Sequence, residues 1–367
     1  SKQNGAAVPV RSIRAGAAVL ILGGMGLAAC ANASGAQPSL FHPAGIHTWD
    51  LWFAKQADVY HAFYLQRPAI PGVDSRAVGY PQVGHATSRD LIHWTDCGPI
   101  LVPEHGTWND VRIATGSAVA RDGRWWIVFS GGGSKTSGIG LSQSKDLMTW
   151  TKVGDAPVVP FGKDFQGTWQ GKGLTWFPIA DPYIYPEPID GWYYLVANAI
   201  VRGDPSETAG CLGMLRSRDL RTWEACAVLS YPKWFERMET PQVWQRGGRW
   251  YLYFGGAHDI GLPPQKFAQE AAATTGRKPE ARQHFRGNFV FTADRLEGPY
   301  LPGKNCWLRV PGYIYKVLPA PDGRDVLLTS QQGGISLPYA VTYSADGSMT
   351  VASRPSSDSL QTAPGTR

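Results

Sequence analysis

The sequence predicts an all-β chain folded as a five-bladed β-propeller, and three observations carry that expectation. The composition favours short strands and tight turns over helices: 43 Gly, 28 Pro, 15 Trp and 15 Tyr in 367 residues, with only 17% charged. A short pattern recurs at Ser88–Trp94 (SRDLIHW), Ser144–Trp150 (SKDLMTW) and Ser217–Trp223 (SRDLRTW), with weaker versions at Thr292–Tyr300 and Ser344–Thr350. The steps between the five aspartates, Asp90, Asp146, Asp219, Asp294 and Asp346, suit four-stranded units carrying loop insertions. Upstream of each turn runs an aromatic or aliphatic segment, in order DVYHAFY, GRWWIVF, GWYYLVA, GRWYLYF and GRDVLLT.

At the N-terminus, Lys2, Arg11 and Arg14 precede an apolar, small-residue run from Ala15 to Ala29, the layout of a secretory signal. The run is too short and Gly-rich for a good membrane span. It ends Leu27-Ala28-Ala29-Cys30, which resembles the bacterial lipoprotein box, so residues 1–29 read as a signal peptide, Cys30 as the lipidation site and 30–40 as a lipid-anchored tether. The alternative is an ordinary cleaved signal with a chance cysteine. Either way the expected location is outside the cytoplasm, at the bacterial cell envelope, with membrane contact only through the anchor. Four cysteines remain there, and Cys211 and Cys226, flanking a turn at Arg218–Arg221, are the favoured disulfide pair. No cysteine spacing suggests a metal site, and no cofactor is indicated. The net charge of +6 comes without a basic run and does not argue for nucleic acid.

The propeller itself is expected over 41–352. In each recurring turn the Ser ends one strand, the Asp caps the turn through backbone N–H groups, and the Trp opens the next strand. Turn chemistry explains these aspartates better than catalysis does. The aromatic segments read as central blade strands, apolar on both faces because both pack against neighbouring blades. Residues 264–285 read as a polar insertion with one short helix near Lys266–Thr274, and 353–367 as a disordered Ser/Pro tail.

The first strand of each blade lines the central channel, so residues near its mouth converge although far apart in sequence. Counting back from each aromatic segment gives Asp50 in WDLW, Gly116 and Ser117 in ATGSAV, Asp181 in ADPYIY, Glu239 in METPQVW and Tyr313 in GYIY. Three of five slots hold acids. Breaking an acetal needs a proton for the leaving oxygen and a carboxylate facing the developing oxocarbenium ion, and a third acid tunes the other two. Trp49 and Trp52 would shield Asp50 from water. The bland readings are a turn Asp at 50, a strand-entry Asp before Pro182, and a Glu239–Arg237 surface ion pair.

The stretches WDLWFAKQADVYHAFY, GHATSRDLIHW, GSAVARDGRWWIVF, DPYIY and METPQVWQRGGRWYLYF together resemble the furanoside-cleaving five-bladed propellers. These are glycoside hydrolase families 32 and 68, the invertase and levansucrase group, with family 43 more distant. The resemblance spans about residues 45–345. It implies Asp50 as nucleophile, Asp181 as transition-state stabiliser and Glu239 as general acid/base, in blades one, three and four. It further implies a retaining β-fructofuranosidase or fructosyltransferase acting on an oligo- or polysaccharide, its carboxylates about 5 Å apart. The alternatives are an inverting arabinofuranosidase-like enzyme and a non-catalytic glycan-binding propeller. The families place Arg before the middle Asp where this chain has Ala180, so Arg112 or another blade must supply the charged donor. They read Glu-Cys-Pro or Glu-Arg-Pro where this chain has Glu239-Thr240-Pro241. Trp49, Trp52, His85, Trp108, Trp169 and Tyr183 are candidates to stack on sugar rings, and Ser117 and Gln242 to bond hydroxyls; each has an interblade or backbone role as its alternative.

Overall fold

The computed structural model describes residues 40–74, 78–161, 165–169, 172–176, 180–258, 269 and 285–355. The signal segment, Cys30, the tether up to residue 39, most of the 264–285 insertion and the tail from 356 lie outside the described residues.

Five antiparallel sheets follow one another along the chain. Blade one is β1 (Ile46–Gln56), β2 (Val59–Pro68), β3 (Gln82–Ser88) and β4 (Thr95–Leu101). Blade two is β5 (Arg112–Arg121), β6 (Arg124–Gly132), β7 (Ser137–Ser144) and β8 (Thr151–Lys152), with β9 (Val159–Pro160) also on β7. In blade three the hairpin of β10 (Phe165–Trp169) and β11 (Lys172–Trp176) shares with β12 (Tyr183–Ile184) one edge of β13 (Tyr193–Val201). Beyond β13 lie β14 (Gly210–Ser217) and β15 (Glu224–Ser230). Blade four is β16 (Arg237–Arg246), β17 (Arg249–His258), β18 (Phe285–Ala293) and β19 (Leu301–Leu308). Blade five is β20 (Tyr313–Pro319), β21 (Asp325–Gln331) with β22 (Gly334–Ile335) folded onto it, β23 (Tyr339–Tyr343) and β24 (Met349–Val351).

The five aromatic or aliphatic segments are the second strands of the blades, and their packing explains their composition. On β2, Tyr60, Ala62 and Tyr64 enter a core shared with blade five, while Phe63 and Leu65 enter one shared with blade two. On β17, Trp250, Leu252 and Phe254 face blade three, and Tyr251 and Tyr253 face blade five. Successive strand residues point to opposite faces, so a blade clamped between two neighbours needs apolar side chains at every position. Five such cores, one per pair of neighbours including five and one, close the ring into a β-propeller. At the seam Phe41 bridges to Ile335, the N–H and hydroxyl of Thr48 both donate to the Gly333 carbonyl, and the Tyr60 hydroxyl donates to Pro319.

The recurring turns join third to fourth strands. Asp90, Asp146 and Asp219 each accept two backbone N–H bonds, from residues two and three positions on. The intervening Leu91, Leu147 and Leu220 take left-handed φ values of 64°, 63° and 62°, a costly conformation for a branched side chain. Full burial of each leucine and a bond from its N–H to the turn serine offset that cost. The indoles of Trp150 and Trp223 donate to the carbonyls of Leu147 and Leu220, and the next strand begins one residue after each Trp.

The disulfide expectation fails. Cys97, Cys211, Cys226 and Cys306 are free thiols. The β14–β15 register sets Leu212 opposite Ser230, whereas Cys226 lies beside Met214, to whose carbonyl its thiol is bonded. Flanking one turn is not enough: at about 3.3 Å per residue the two cysteines are out of register by more than a disulfide spans.

Candidate active site

The inner strands share one local device. Each is interrupted by a bulge at the same level: Asp50–Leu51 in β1, Ala114–Thr115 in β5, Asp181–Pro182 at the entry to β12, Thr240–Pro241 in β16 and Ile314 in β20. Four of these residues have left-handed backbone, with φ of 48° at Asp50, 45° at Asp181, 47° at Thr240 and 66° at Ile314. Bulges re-aim side chains, and each such φ at a non-glycine residue costs about 1–3 kcal/mol. Asp50 and Asp181 thus occupy equivalent positions in blades one and three. Glu239 stands one residue earlier, level with Trp49, Ala180 and Tyr313, and blade two presents Ala114 where the sequence had suggested Gly116 or Ser117. Counting along a strand without its register cannot distinguish neighbours across a bulge.

The three carboxyl groups converge. Thr115 donates its hydroxyl to Oδ2 of Asp50 at 2.9 Å, and the Thr240 N–H donates to Oδ2 of Asp181 at 3.2 Å. Asp50 keeps partial solvent access, yet desolvation of its carboxyl, followed by the charge of Glu239, pushes its pKa up to about 7. Thr115, Lys316 and Arg286 oppose that rise. Asp181 is raised well above the usual carboxylate range by burial, then by the charges of Asp50 and Glu239. Burial and like charges close by therefore keep Asp50 and Asp181 protonated to higher pH than free carboxyl groups. Tyr313 donates to Oε2 of Glu239 at 2.5 Å, and Nε of Arg237 lies 3.5 Å from Oε1. The Glu239–Arg237 pair offered as a surface feature is real but mostly buried, with 18% and 14% of the side chains exposed.

Of the expected sugar-contacting residues, some lie beside the acids and others do not. Trp49 adjoins Asp50, partly buried, with His47 and Arg67 against its indole. Arg112 lies near enough to Asp181 for the carboxylate to favour its charged form. Ser117 is buried and accepts the Ile184 N–H, and Tyr183 donates its hydroxyl to the Val243 carbonyl. Both line the axial cavity, of about 410 Å³, that continues below the acids. Trp52 also borders this cavity but is 2% exposed and stacked on Phe63, so it packs the blade rather than offering an open ring face. His85 is fully buried against Phe63 and hydrogen-bonded to His61. Gln242 spends both ends of its amide on the backbone of Val317, stapling blade four to blade five. Trp108 packs on Phe129, and the Trp169 side chain lies outside the described residues.

Sequence reasoning missed Thr115 and Lys316. Lys316 is buried, donates to the carbonyls of Thr240 at 2.8 Å and Pro241 at 3.2 Å, and faces the rings of Tyr183 and Tyr253. The only available signal was a lone lysine within the hydrophobic run Tyr313–Leu318.

Comparison with known proteins identifies the family of the chain. Residues 52–245 match the model of the glycosyl hydrolases family 32 N-terminal domain. The chain is 30% identical over 142 residues to the bifunctional 6(G)-fructosyltransferase/2,1-fructan:2,1-fructan 1-fructosyltransferase of Allium cepa, covering 36% of this chain and 20% of that one. It is 32% identical over 108 residues to β-fructofuranosidase 1 of Zea mays, covering 27% and 15%. The chain therefore matches a fifth or less of the length of these curated relatives. Among solved structures, sucrose-6-phosphate hydrolase from Lactobacillus gasseri superposes with a TM-score of 0.64 at 17% identity, covering 88% of this chain and 63% of that one. With five blades closed into a ring, acids brought to one end of its axis, and a family match across more than half its residues, the chain belongs to glycosyl hydrolase family 32.

Proposed function

We propose that the protein cleaves β-fructofuranosides with retention of configuration and passes the fructosyl group to water or to a sugar hydroxyl. The observation that carries this reading is the convergence of Asp50, Asp181 and Glu239 from three blades, each within the electrostatic reach of another. The names of the relatives, a fructosyltransferase, a β-fructofuranosidase and a sucrose-6-phosphate hydrolase, support the same substrate class.

In this reading Asp50, once ionised, attacks the anomeric carbon while Glu239 protonates the departing glycosidic oxygen, leaving a fructosyl ester on Asp50. Glu239 then removes a proton from the incoming water or hydroxyl, which displaces Asp50 in a second inversion. Asp181 holds ring hydroxyls and offsets the positive charge of the oxocarbenium-like transition state. Crowded carboxylates serve this cycle because it needs one acid with its proton and one without at the same pH. Trp49 and Arg112 bound the sugar site, with Arg112 supplying the cation absent at Ala180.

The envelope location belongs to the same proposal: residues 1–29 direct export and Cys30 carries the lipid that tethers the propeller outside the cytoplasm. Metabolic labelling with a radioactive fatty acid, lost in Cys30→Ala, tests that part.

For the chemistry, the protein is incubated with sucrose, levan, inulin and arabinan, and the first-formed anomer is followed by NMR. The expected result is β-fructose or a fructosyl-transfer product, abolished in Asp50→Asn and Glu239→Gln. Product from arabinan alone, with inversion, would replace the reading by an arabinofuranosidase. Saccharide binding without turnover would make the chain a glycan-binding propeller.

A further inference from the structure

Lys316 is buried and placed where three blades meet. It belongs to β20 of blade five, where Tyr315 and Val317 enter the core shared with blade four. Lys316 itself lines the axial cavity. Its ammonium reaches across to blade four and donates to the carbonyls of Thr240 and Pro241, the two bulge residues that follow Glu239. The Thr240 N–H donates to Asp181 of blade three. Thr240, in left-handed backbone, is therefore gripped at both ends, its N–H by a carboxylate and its carbonyl by an ammonium. Lys316 lines the cavity and also feels the charges of Asp50 and Asp181, which are not among the cavity's lining residues.

The geometry points to Lys316 as a positioning residue for the carboxylate cluster: an internal amine that holds the Thr240 bulge between Glu239 and Asp181 and offsets the negative charge of Asp50 and Asp181. The inference rests on the reading of those acids as the reacting group. A buried ammonium is costly unless paired and hydrogen-bonded, and here the partners are two carbonyls, the charges of Asp50 and Asp181, and the faces of Tyr183 and Tyr253. Burial lowers the pKa of the amine to about 7 even with the charges of Asp50 and Asp181 acting to raise it. Reciprocally, Lys316 lowers Asp50 against desolvation and Glu239, with Arg286 of β18 acting in the same direction. Removing the cation leaves the bulge carbonyls without their donor and Asp50 and Asp181 without its compensating charge, so these two hold protons to higher pH.

The test compares the full chain with Lys316→Met, Lys316→Gln and Lys316→Arg. On a fructoside that the parent cleaves, the acid limb of kcat/KM moves up by about one pH unit in the Met and Gln variants, a loss of about tenfold at a pH on that limb. The Arg variant, which keeps the charge, retains the parent's limb even where kcat falls. Limb positions unchanged in both neutral variants, whatever their rates, overturn the proposal. A second arm needs no substrate: thermal unfolding is followed from pH 4 to 9, and the carboxylate-linked fall in Tm is centred at higher pH in Lys316→Gln than in the parent. A coincident midpoint overturns the proposal. If the parent cleaves no fructoside, the functional reading fails while this arm still decides the role of Lys316. Should Lys316→Met not fold, adding Asp50→Asn removes the uncompensated carboxylate and is expected to recover folded protein; no recovery counts against the proposal.

Discussion

Tyr313 donates its hydroxyl to Oε2 of Glu239 across the junction of blades five and four, at 2.5 Å. Burial and the neighbouring carboxylate hold the phenol far above its ordinary pKa, so it remains a donor through the working pH range. Tyr313→Phe keeps the ring and deletes only that donor. A buried hydrogen bond to a carboxylate is worth about 1.5–3 kcal/mol, so losing it should lower kcat/KM about ten- to hundredfold and the melting temperature by a few degrees. Steady-state kinetics beside calorimetry checks both halves.

Gly255 makes the Tyr313 contact possible. It pairs with Glu239 across β16 and β17, and a Cβ there would lie 2.6 Å from the Tyr313 oxygen and 2.9 Å from the ring carbon bearing it. Gly255→Ala must displace the phenol, so it should reproduce the kinetic loss of Tyr313→Phe. Because both changes break one contact, the double variant should be no worse than Gly255→Ala; full additivity would show that the two act separately.

These contacts mark where sequence reading reached and where it stopped. The blades were legible because clamping between two neighbours forces continuous apolar strands, and the turns because their Ser and Asp make the same hydrogen bonds in all three. Asp50 and Asp181 were legible as acids in apolar settings. Glu239 was found but placed one residue off, since a bulge leaves no mark in a residue count. For Trp52 and His85 the sequence left sugar stacking and a packing role both open, because an aromatic beside an acid motif and one packed between strands look alike in sequence; both are buried. Lys316 was passed over because its partners, two carbonyls of blade four, exist only after the ring closes.

The coupled acids predict an acid limb for catalysis. With Asp50 at about 7 in the unliganded site, protonation removes the nucleophile as pH falls. The value of kcat/KM, which reports the free enzyme, should decline about tenfold per pH unit well below 7, and a profile flat down to pH 5 would contradict the assignment of Asp50.

The same group should cost stability. The pKa of Asp50 is raised on folding, from 3.8 to about 7, so its stabilising contribution is full below about 4 and is lost as pH rises through 7. Asp50→Asn removes that penalty. At pH 8 the variant should be more stable than the parent, by on the order of 2 kcal/mol, with the difference closing near pH 4. Denaturant unfolding at the two pH values measures it.

The buried histidine pair should act with the opposite sign. Nδ1 of His61 lies 2.9 Å from Nε2 of His85, the rings stacked at 5.1 Å, and Nδ1 of His85 has no hydrogen-bond partner among the described residues. The bond needs one ring to donate and the other to accept, so a proton on both sets N–H against N–H. Burial lowers the pKa of both rings, and the neighbouring His61 helps bring His85 to about 4. A depressed pKa gives stability that is whole above the unfolded value of 6.5 and drains as pH falls towards 4. His85→Phe retains a flat ring against Phe63 and cannot take up the proton. Between pH 6.5 and 4 the parent should lose on the order of 2 kcal/mol more than this variant, and Tm curves that stay parallel over that range would show that the pair carries no acid sensitivity.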